Sequence, residues 1–245
     1  MPRLTSLFKV TGTMDDLTFY HSRTEGYLVR RTHRHDPEKV KNSPQFERTM
    51  ENATEFGRVT KVAALLRRLM GYKFKSCGDA RMTSRLISTL HQVMKKDRTS
   101  RRGHRSVGPG MTMPEGKEIL LGVDLNKTYP LDQILRANRR VDLETGTIHI
   151  ESVPNMLKWP STATHVRFRS AWVRMDTTAL EGDAVYTETE LFGRGQLPAE
   201  ITLIPERSPE GPGQDLLLLQ VQFYIEEGQQ AYDLTEGWAA GIVGV

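Results

Sequence analysis

From Arg140 onward the hydrophobic period switches to two, and no other feature narrows the possible fold as much. Leu217, Leu219, Val221, Phe223 and Ile225 fall at every second position, with Gln220 and Gln222 between them. That is the signature of a strand with one buried face. The stretch 165–175 keeps the same period through Val166, Phe168 and Trp172, and Val141–Val153 reads as a hairpin turning at Glu144-Thr145-Gly146. Further strands are predicted over 184–192, 200–205, 216–226, 231–234 and 239–245. Short strands at regular turn spacing argue for an antiparallel β-sandwich over 139–245.

Upstream the period is helical. Ser43-Pro44 reads as an N-cap followed by proline at the first helical position, and Gly71 as the residue past the end. Between them Phe46, Met50, Ala53, Phe56, Val59, Ala63, Leu66 and Met70 are spaced by threes and fours and predict one buried stripe. Gly57 interrupts that run at a cost of about 1 kcal/mol relative to alanine. Met82, Leu86, Leu90, Val93 and Met94 predict a second helix over 79–97, joined to the first by a turn at 73–78 into a helical hairpin. A short third helix is expected over 114–121 and one more turn at 131–135.

The first thirty residues read as a β-meander: strands at 6–10, 16–20 and 27–31, with turns at Thr11-Gly12-Thr13 and Arg23-Thr24-Glu25-Gly26. Three strands need a covering element to be stable. Residues 32–43 are polar and read as a linker. The expected class is therefore α+β, with an N-terminal β-meander and helical hairpin and a C-terminal antiparallel β-sandwich. Three regions follow: a basic strand-and-helix region over 1–110, a helical connector over 111–138 and a sandwich domain over 139–245.

Charge divides along similar lines. Residues 1–110 hold 23 Lys and Arg against 10 Asp and Glu, a surplus of 13, while the remainder carries 11 against 20. A basic half joined to an acidic half suits contact with phosphates or with an acidic partner, and equally suits copies stacking head to tail. An apolar share of 38% and a charged share of 26% argue against global disorder.

The single cysteine, Cys77, rules out an intramolecular disulfide and fits a reducing compartment. The first residues hold no signal-like apolar run, and no apolar stretch is long enough for a membrane-spanning helix. A cytoplasmic protein is expected.

The stretch Gly12-Thr13-Met14-Asp15-Asp16-Leu17-Thr18-Phe19-Tyr20 is followed by Gly26-Tyr27-Leu28-Val29-Arg30, then Lys41-Asn42-Ser43-Pro44-Gln45-Phe46-Glu47-Arg48-Thr49, Glu51-Asn52 and Glu55-Phe56-Gly57. Together these resemble a family of uncharacterised proteins from Bacteroidota-type bacteria, which pair an N-terminal hairpin-plus-helix block with a β-rich C-terminal half. Val221-Gln222-Phe223-Tyr224 and the closing Gly241-Ile242-Val243-Gly244-Val245 carry the C-terminal likeness. The resemblance implies architecture and lends no catalytic residue.

Enzyme motifs are missing: the chain has no GxGxxG after a strand, no GxxxxGK[ST], no GxSxG and no HExxH. Gly108-Pro109-Gly110 and Gly211-Pro212-Gly213 read as turns, since proline removes an N–H that a phosphate cradle would use. His33, His35 and Asp36 could meet on one side of an extended chain, but Arg34 sits among them and a metal needs three or four convergent ligands. Cys77 with His91 or His104 lacks an orienting carboxylate for nucleophilic chemistry. Asp15-Asp16 and Glu226-Glu227 read as turn formers. No catalytic residue, metal or cofactor is expected.

The densest functional signal is Lys95, Lys96, Arg98, Arg101, Arg102, His104 and Arg105 within eleven residues. The helix macrodipole accounts for Lys95 and Lys96 but not for the arginines beyond the helix. Arginine forks suit phosphate or carboxylate. No aromatic residue is interleaved, so contact with nucleic acid would run through the backbone and be salt-sensitive. The expected function is a non-catalytic structural or assembly protein that joins other subunits, or copies of itself, through charge-polarised interfaces. The alternative is a nucleic-acid-binding protein that uses residues 95–105.

Overall fold

The computed structural model describes residues 9–32, 37–228 and 230–245. The chain divides into two compact units, residues 1–50 and 51–245.

In the first unit, β1 (Gly12–Met14), β2 (Leu17–Ser22) and β3 (Gly26–Arg31) form an antiparallel sheet in that order. The meander is present but starts later than its pattern suggests. The expected 6–10 strand lies partly outside the described residues, and Lys9 and Val10 are not in a strand. Gly12 and Thr13 belong to β1, and the chain reverses at Asp15-Asp16, with Asp15 in the left-handed region at φ 47°. Aspartate tolerates that conformation better than most residues, which supports reading the pair as turn formers. The expected linker contains α1 (Pro37–Asn42). A 3-10 turn over Pro44–Phe46 then leads into α2 (Glu47–Leu69), with Pro44 where its missing N–H costs nothing, although Ser43 makes no side-chain cap bond.

The second unit follows with α3 (Gly71–Ser76), α4 (Met82–Met94), α5 (Val107–Thr112), α6 (Pro114–Leu120), α7 (Leu131–Ile134), β4 (Arg139–Asp142), β5 (Thr147–Glu151), α8 (Val153–Met156), β6 (His165–Asp176), β7 (Glu181–Glu188), β8 (Phe192–Gly193), β9 (Glu200–Leu203), β10 (Gln214–Glu227) and β11 (Gln230–Gly244). The class is mixed α+β, as expected. A five-stranded antiparallel sheet runs β11-β10-β6-β7, with β8 also on β6, and a three-stranded sheet runs β4-β5-β9. Ile148, Ile150, Ile201 and Leu203 of the small sheet pack with Phe168, Trp172, Leu217, Leu219, Val221 and Phe223 of the large one. That face-to-face pair is the sandwich.

The large sheet's other face is also covered. Ala171, Val173, Met175, Leu216, Leu218 and Ile242 share a second core with Val59, Leu66, Leu86, Leu90, Val107 and Met111. The large sheet therefore lies between two hydrophobic cores, one shared with the small sheet and one with the helices, and the expected boundaries at 110 and 138 fall inside the second unit. This is why β6 and β10 are buried along most of their length on both sides.

Four local expectations are corrected. The 73–78 turn is helical to Ser76 as α3. The last six residues of the 98–112 loop form α5, where Pro109 falls in the first turn and costs no hydrogen bond. The strands expected at 231–234 and 239–245 are one strand, β11, interrupted by a register shift opposite Val221/Phe223. The stripe on α2 is rotated: Phe56 is 51% exposed, and the buried set is Glu55, Val59, Val62, Ala63, Leu65, Leu66 and Leu69. Among the described residues no helix is long and apolar enough to cross a membrane.

Candidate functional site

The basic segment begins at the end of α4, where Asp97 organises the chain. Its Oδ1 accepts from Thr99 N at 2.9 Å, Thr99 Oγ1 at 2.7 Å and Ser100 N at 3.1 Å, and its Oδ2 accepts from Ser106 N at 3.1 Å. Burial alone would raise the Asp97 carboxyl, but these donors outweigh it and hold it at about 2. Glu55, only 2% exposed, anchors the loop's far side. Its Oε1 accepts from Gly103 N at 2.7 Å and Arg105 Nε at 2.8 Å, and its Oε2 from Arg105 Nη2 at 2.8 Å. Arg58 Nη1 donates to the Gly103 carbonyl at 2.9 Å. Burial raises the Glu55 carboxyl, and the Arg105 and Gly103 donors more than offset it, leaving it below the ordinary range.

The seven sequence-predicted residues therefore separate. Arg105 is committed to Glu55, Arg102 pairs with Glu51 at 3.3 Å and donates to Asn52 Oδ1 at 3.1 Å, and Arg98 pairs with Glu115. Lys95 and Arg101 are exposed and Lys96 half-buried, with no carboxylate in ion-pair range among the described residues. Arg101 Nη2 lies 3.3 Å from His104 Nε2, and His104 is exposed. A run of seven in sequence becomes a surface of four in space, since three of its arginines are held by carboxylates from α2 and α6.

A second site carried no motif. On the helix-facing side of the large sheet, apolar residues give way to polar ones along three adjacent strands. On β6, Met175, Val173 and Ala171 are followed by Arg169 and Arg167. On β10, Leu216 and Leu218 are followed by Gln220, Gln222 and Tyr224. Tyr186 and Glu188 of β7 stand opposite Ala171 and Arg169. Arg169, 5% exposed, donates from Nε to Glu188 Oε2 at 2.6 Å, from Nη2 to Tyr224 Oη at 2.8 Å and from Nη1 to Gln222 Oε1. Lys73 of α3 reaches the same Glu188 oxygen at 2.6 Å, and Arg167 Nη1 lies 3.5 Å from the other. Burial would raise the Glu188 carboxyl, but Lys73 and Arg169 hold it at about 2. Gln220 Nε2 donates to the Lys73 carbonyl at 3.0 Å, and Tyr186 Oη to the Leu69 carbonyl at 2.6 Å. These bonds fix the α2–α3 corner against the sheet beside a cleft of about 450 Å³. The signal for this site was a set of polar residues at inward positions of otherwise apolar strands.

The other sequence candidates stand apart. Cys77 is 3% exposed and donates to the Phe74 carbonyl at 3.0 Å, and burial pushes its thiol up to about 12. A nucleophilic cysteine needs the opposite shift. His33, Arg34, His35 and Asp36 lie outside the described residues. Among the described residues no three His, Cys, Asp or Glu side chains gather as a metal site would require.

In the first unit the sheet is thinly buried. Of its described strand residues only Leu28 is buried, while Met14 is 65% and Leu17 44% exposed. Among the described residues, strands β1 and β3 form its two edges. Compared with family models, curated proteins and solved structures, the chain matches none of them.

Proposed function

We propose that this protein is a non-catalytic assembly component, working in the cytoplasm, whose N-terminal sheet is completed by another protein subunit, most simply a second copy of the chain. The observation that carries this reading is the exposure of β1–β3: three strands that bury only Leu28 among their described residues. An antiparallel sheet of this size needs an apolar face packed on something to be stable in water. Among the described residues its edge strands β1 and β3 pair with no further strand, and such an edge is the usual template for strand addition. The buried free thiol of Cys77 is consistent with a reducing compartment.

Charge plays a smaller part in this reading than the sequence halves suggest. The first unit holds 9 Lys and Arg against 6 Asp and Glu, and the second 25 against 24. The basic helices and acidic strands of residues 51–245 belong to one unit, so much of the polarity along the chain is satisfied within it. The test is light scattering of the full chain at low and high salt, with Met14→Asp and Leu17→Asp as variants. An oligomer that persists at high salt and dissociates in both variants is expected. A monomer at every concentration overturns the reading.

The second reading, nucleic-acid contact, rests on the cations Lys95, Lys96 and Arg101, which meet no carboxylate among the described residues. Three phosphate contacts give a slope of log affinity against log salt of about −3 on duplex DNA, and no steeper. Fluorescence polarisation of wild type and a Lys95→Glu, Lys96→Glu, Arg101→Glu variant measures it. Equal binding by the two proteins ends this reading.

A further inference from the structure

The cleft beside α3 has the dimensions and lining of a small-molecule site. Its volume, about 450 Å³, falls within the roughly 300–1,000 Å³ typical of ligand pockets. Met70, Phe74, Tyr72 and Tyr186 supply apolar and aromatic walls, and Lys73 and Arg169 stand with Glu188 on the remaining side. Tyr72 is 81% exposed and Tyr186 51%, so each ring has a face open to a ligand. Gly71 closes the corner: at φ 71° it passes so near Tyr186 that a Cβ there would lie 2.9 Å from Oη.

The charges do not balance. Lys73, Arg167 and Arg169 converge on the single carboxylate of Glu188. A second carboxylate, Asp233, reaches Arg169 only through Gln222, whose Nε2 donates to Asp233 Oδ1 at 2.8 Å. With both acids included, three cations face two anions, a surplus of one. Arg169 is built into the wall by Glu188, Gln222 and Tyr224 and cannot swing away to be solvated elsewhere. Lys73 spends one of its three N–H groups on Glu188, and its side chain is 58% exposed at the cleft. A surplus of one, with free ammonium donors beside aromatic faces, matches a monoanion carrying an apolar body. It does not match a cation, or the dianion of a phosphate monoester.

We propose that this cleft binds a small monocarboxylic acid with an aromatic or aliphatic body, its carboxylate on Lys73 and its body against Tyr72 and Tyr186. The test is a titration of the full chain followed by backbone amide NMR shifts of Gly71, Lys73 and Glu188. The probes are phenylacetate, phenethyl alcohol, phenethylamine and phenyl phosphate. Saturable shifts with phenylacetate are expected, with affinity at least about tenfold above the alcohol, and none with the amine. Lys73→Met and Tyr72→Ala should each weaken phenylacetate by about tenfold or more. Tyr72 is exposed enough that its removal leaves the fold intact, so the second variant stands if the first is unstable. Absence of saturable shifts, shifts mapping elsewhere, equal binding of the amine, tighter binding of phenyl phosphate, or an unaffected Tyr72→Ala variant would each overturn the proposal.

Discussion

Arg105 closes a two-point fork on Glu55, Nε to Oε1 and Nη2 to Oε2, both at 2.8 Å, across fifty residues of chain. The carboxylate is 2% exposed and also accepts from Gly103 N. Removing one partner of such a pair leaves an uncompensated charge and an orphaned N–H. Glu55→Ala is therefore expected to lower stability by about 3–5 kcal/mol, and the double variant Glu55→Ala, Arg105→Met by clearly less. Urea denaturation of the four proteins of the cycle measures this. A double variant that loses the sum of the two single losses would mean that the fork does not hold the loop.

Acid should destabilise the second unit over two pH ranges. Asp97, Asp183 and Glu188 titrate near about 2 in the folded protein, against ordinary values of 3.8, 3.8 and 4.5. For Asp183 the main cause is the hydrogen bond from Arg207. The unfolded chain takes up these protons at higher pH than the folded one, so the stability they supply is complete above about pH 5 and lost toward pH 2. His91, lowered from 6.5 chiefly by burial, adds a smaller loss that begins below its ordinary value. Asp124, raised chiefly by burial, acts in the opposite sense and gains as pH falls. Tm against pH is expected to be flat near neutrality, to dip slightly below 6.5 and to fall steeply below 4.5. Maximal stability near pH 3 would contradict these assignments.

Gly57→Ala should stabilise the protein. The residue lies inside α2, and a Cβ there meets nothing within 4 Å. The helix gains about 0.5–1 kcal/mol from reduced backbone freedom in the unfolded chain. A lower denaturation midpoint would contradict this.

The Cys77 thiol should be masked in the native state. Its value near 12 leaves almost no thiolate at neutral pH, and the residue is 3% exposed. Reaction with a disulfide reagent such as DTNB is expected to be slow in buffer and fast in denaturant. Stability should also fall as pH rises past 9, the ordinary thiol value, because the unfolded thiol ionises first. Rapid labelling of the folded protein would rule this out.

The basic segment and the cleft show how far sequence reading reaches into function. The cluster at 95–105 was visible because its members are neighbours in the chain. Its pairing was not, because Glu51, Glu55 and Glu115 lie on other elements. The cleft left only a faint trace. Arg167, Arg169, Gln220 and Gln222 keep strand spacing and differ from their neighbours only in being polar at inward positions.

Sequence alone determined the class, the long helices α2 and α4, and the sandwich half, because side-chain periods of 3.6 and 2 are local properties of the backbone. It also marked the Asp15-Asp16 turn and the end of α2 at Gly71, where backbone geometry selects particular residues. Only the tertiary structure decided that the helices of 51–94 and the strands of 165–242 share a core, that Glu55 rather than Phe56 faces inward, and that Lys73 meets Glu188. Those outcomes depend on which distant surfaces meet. A local period says that a face is buried, but not what buries it or which charge waits on the other side.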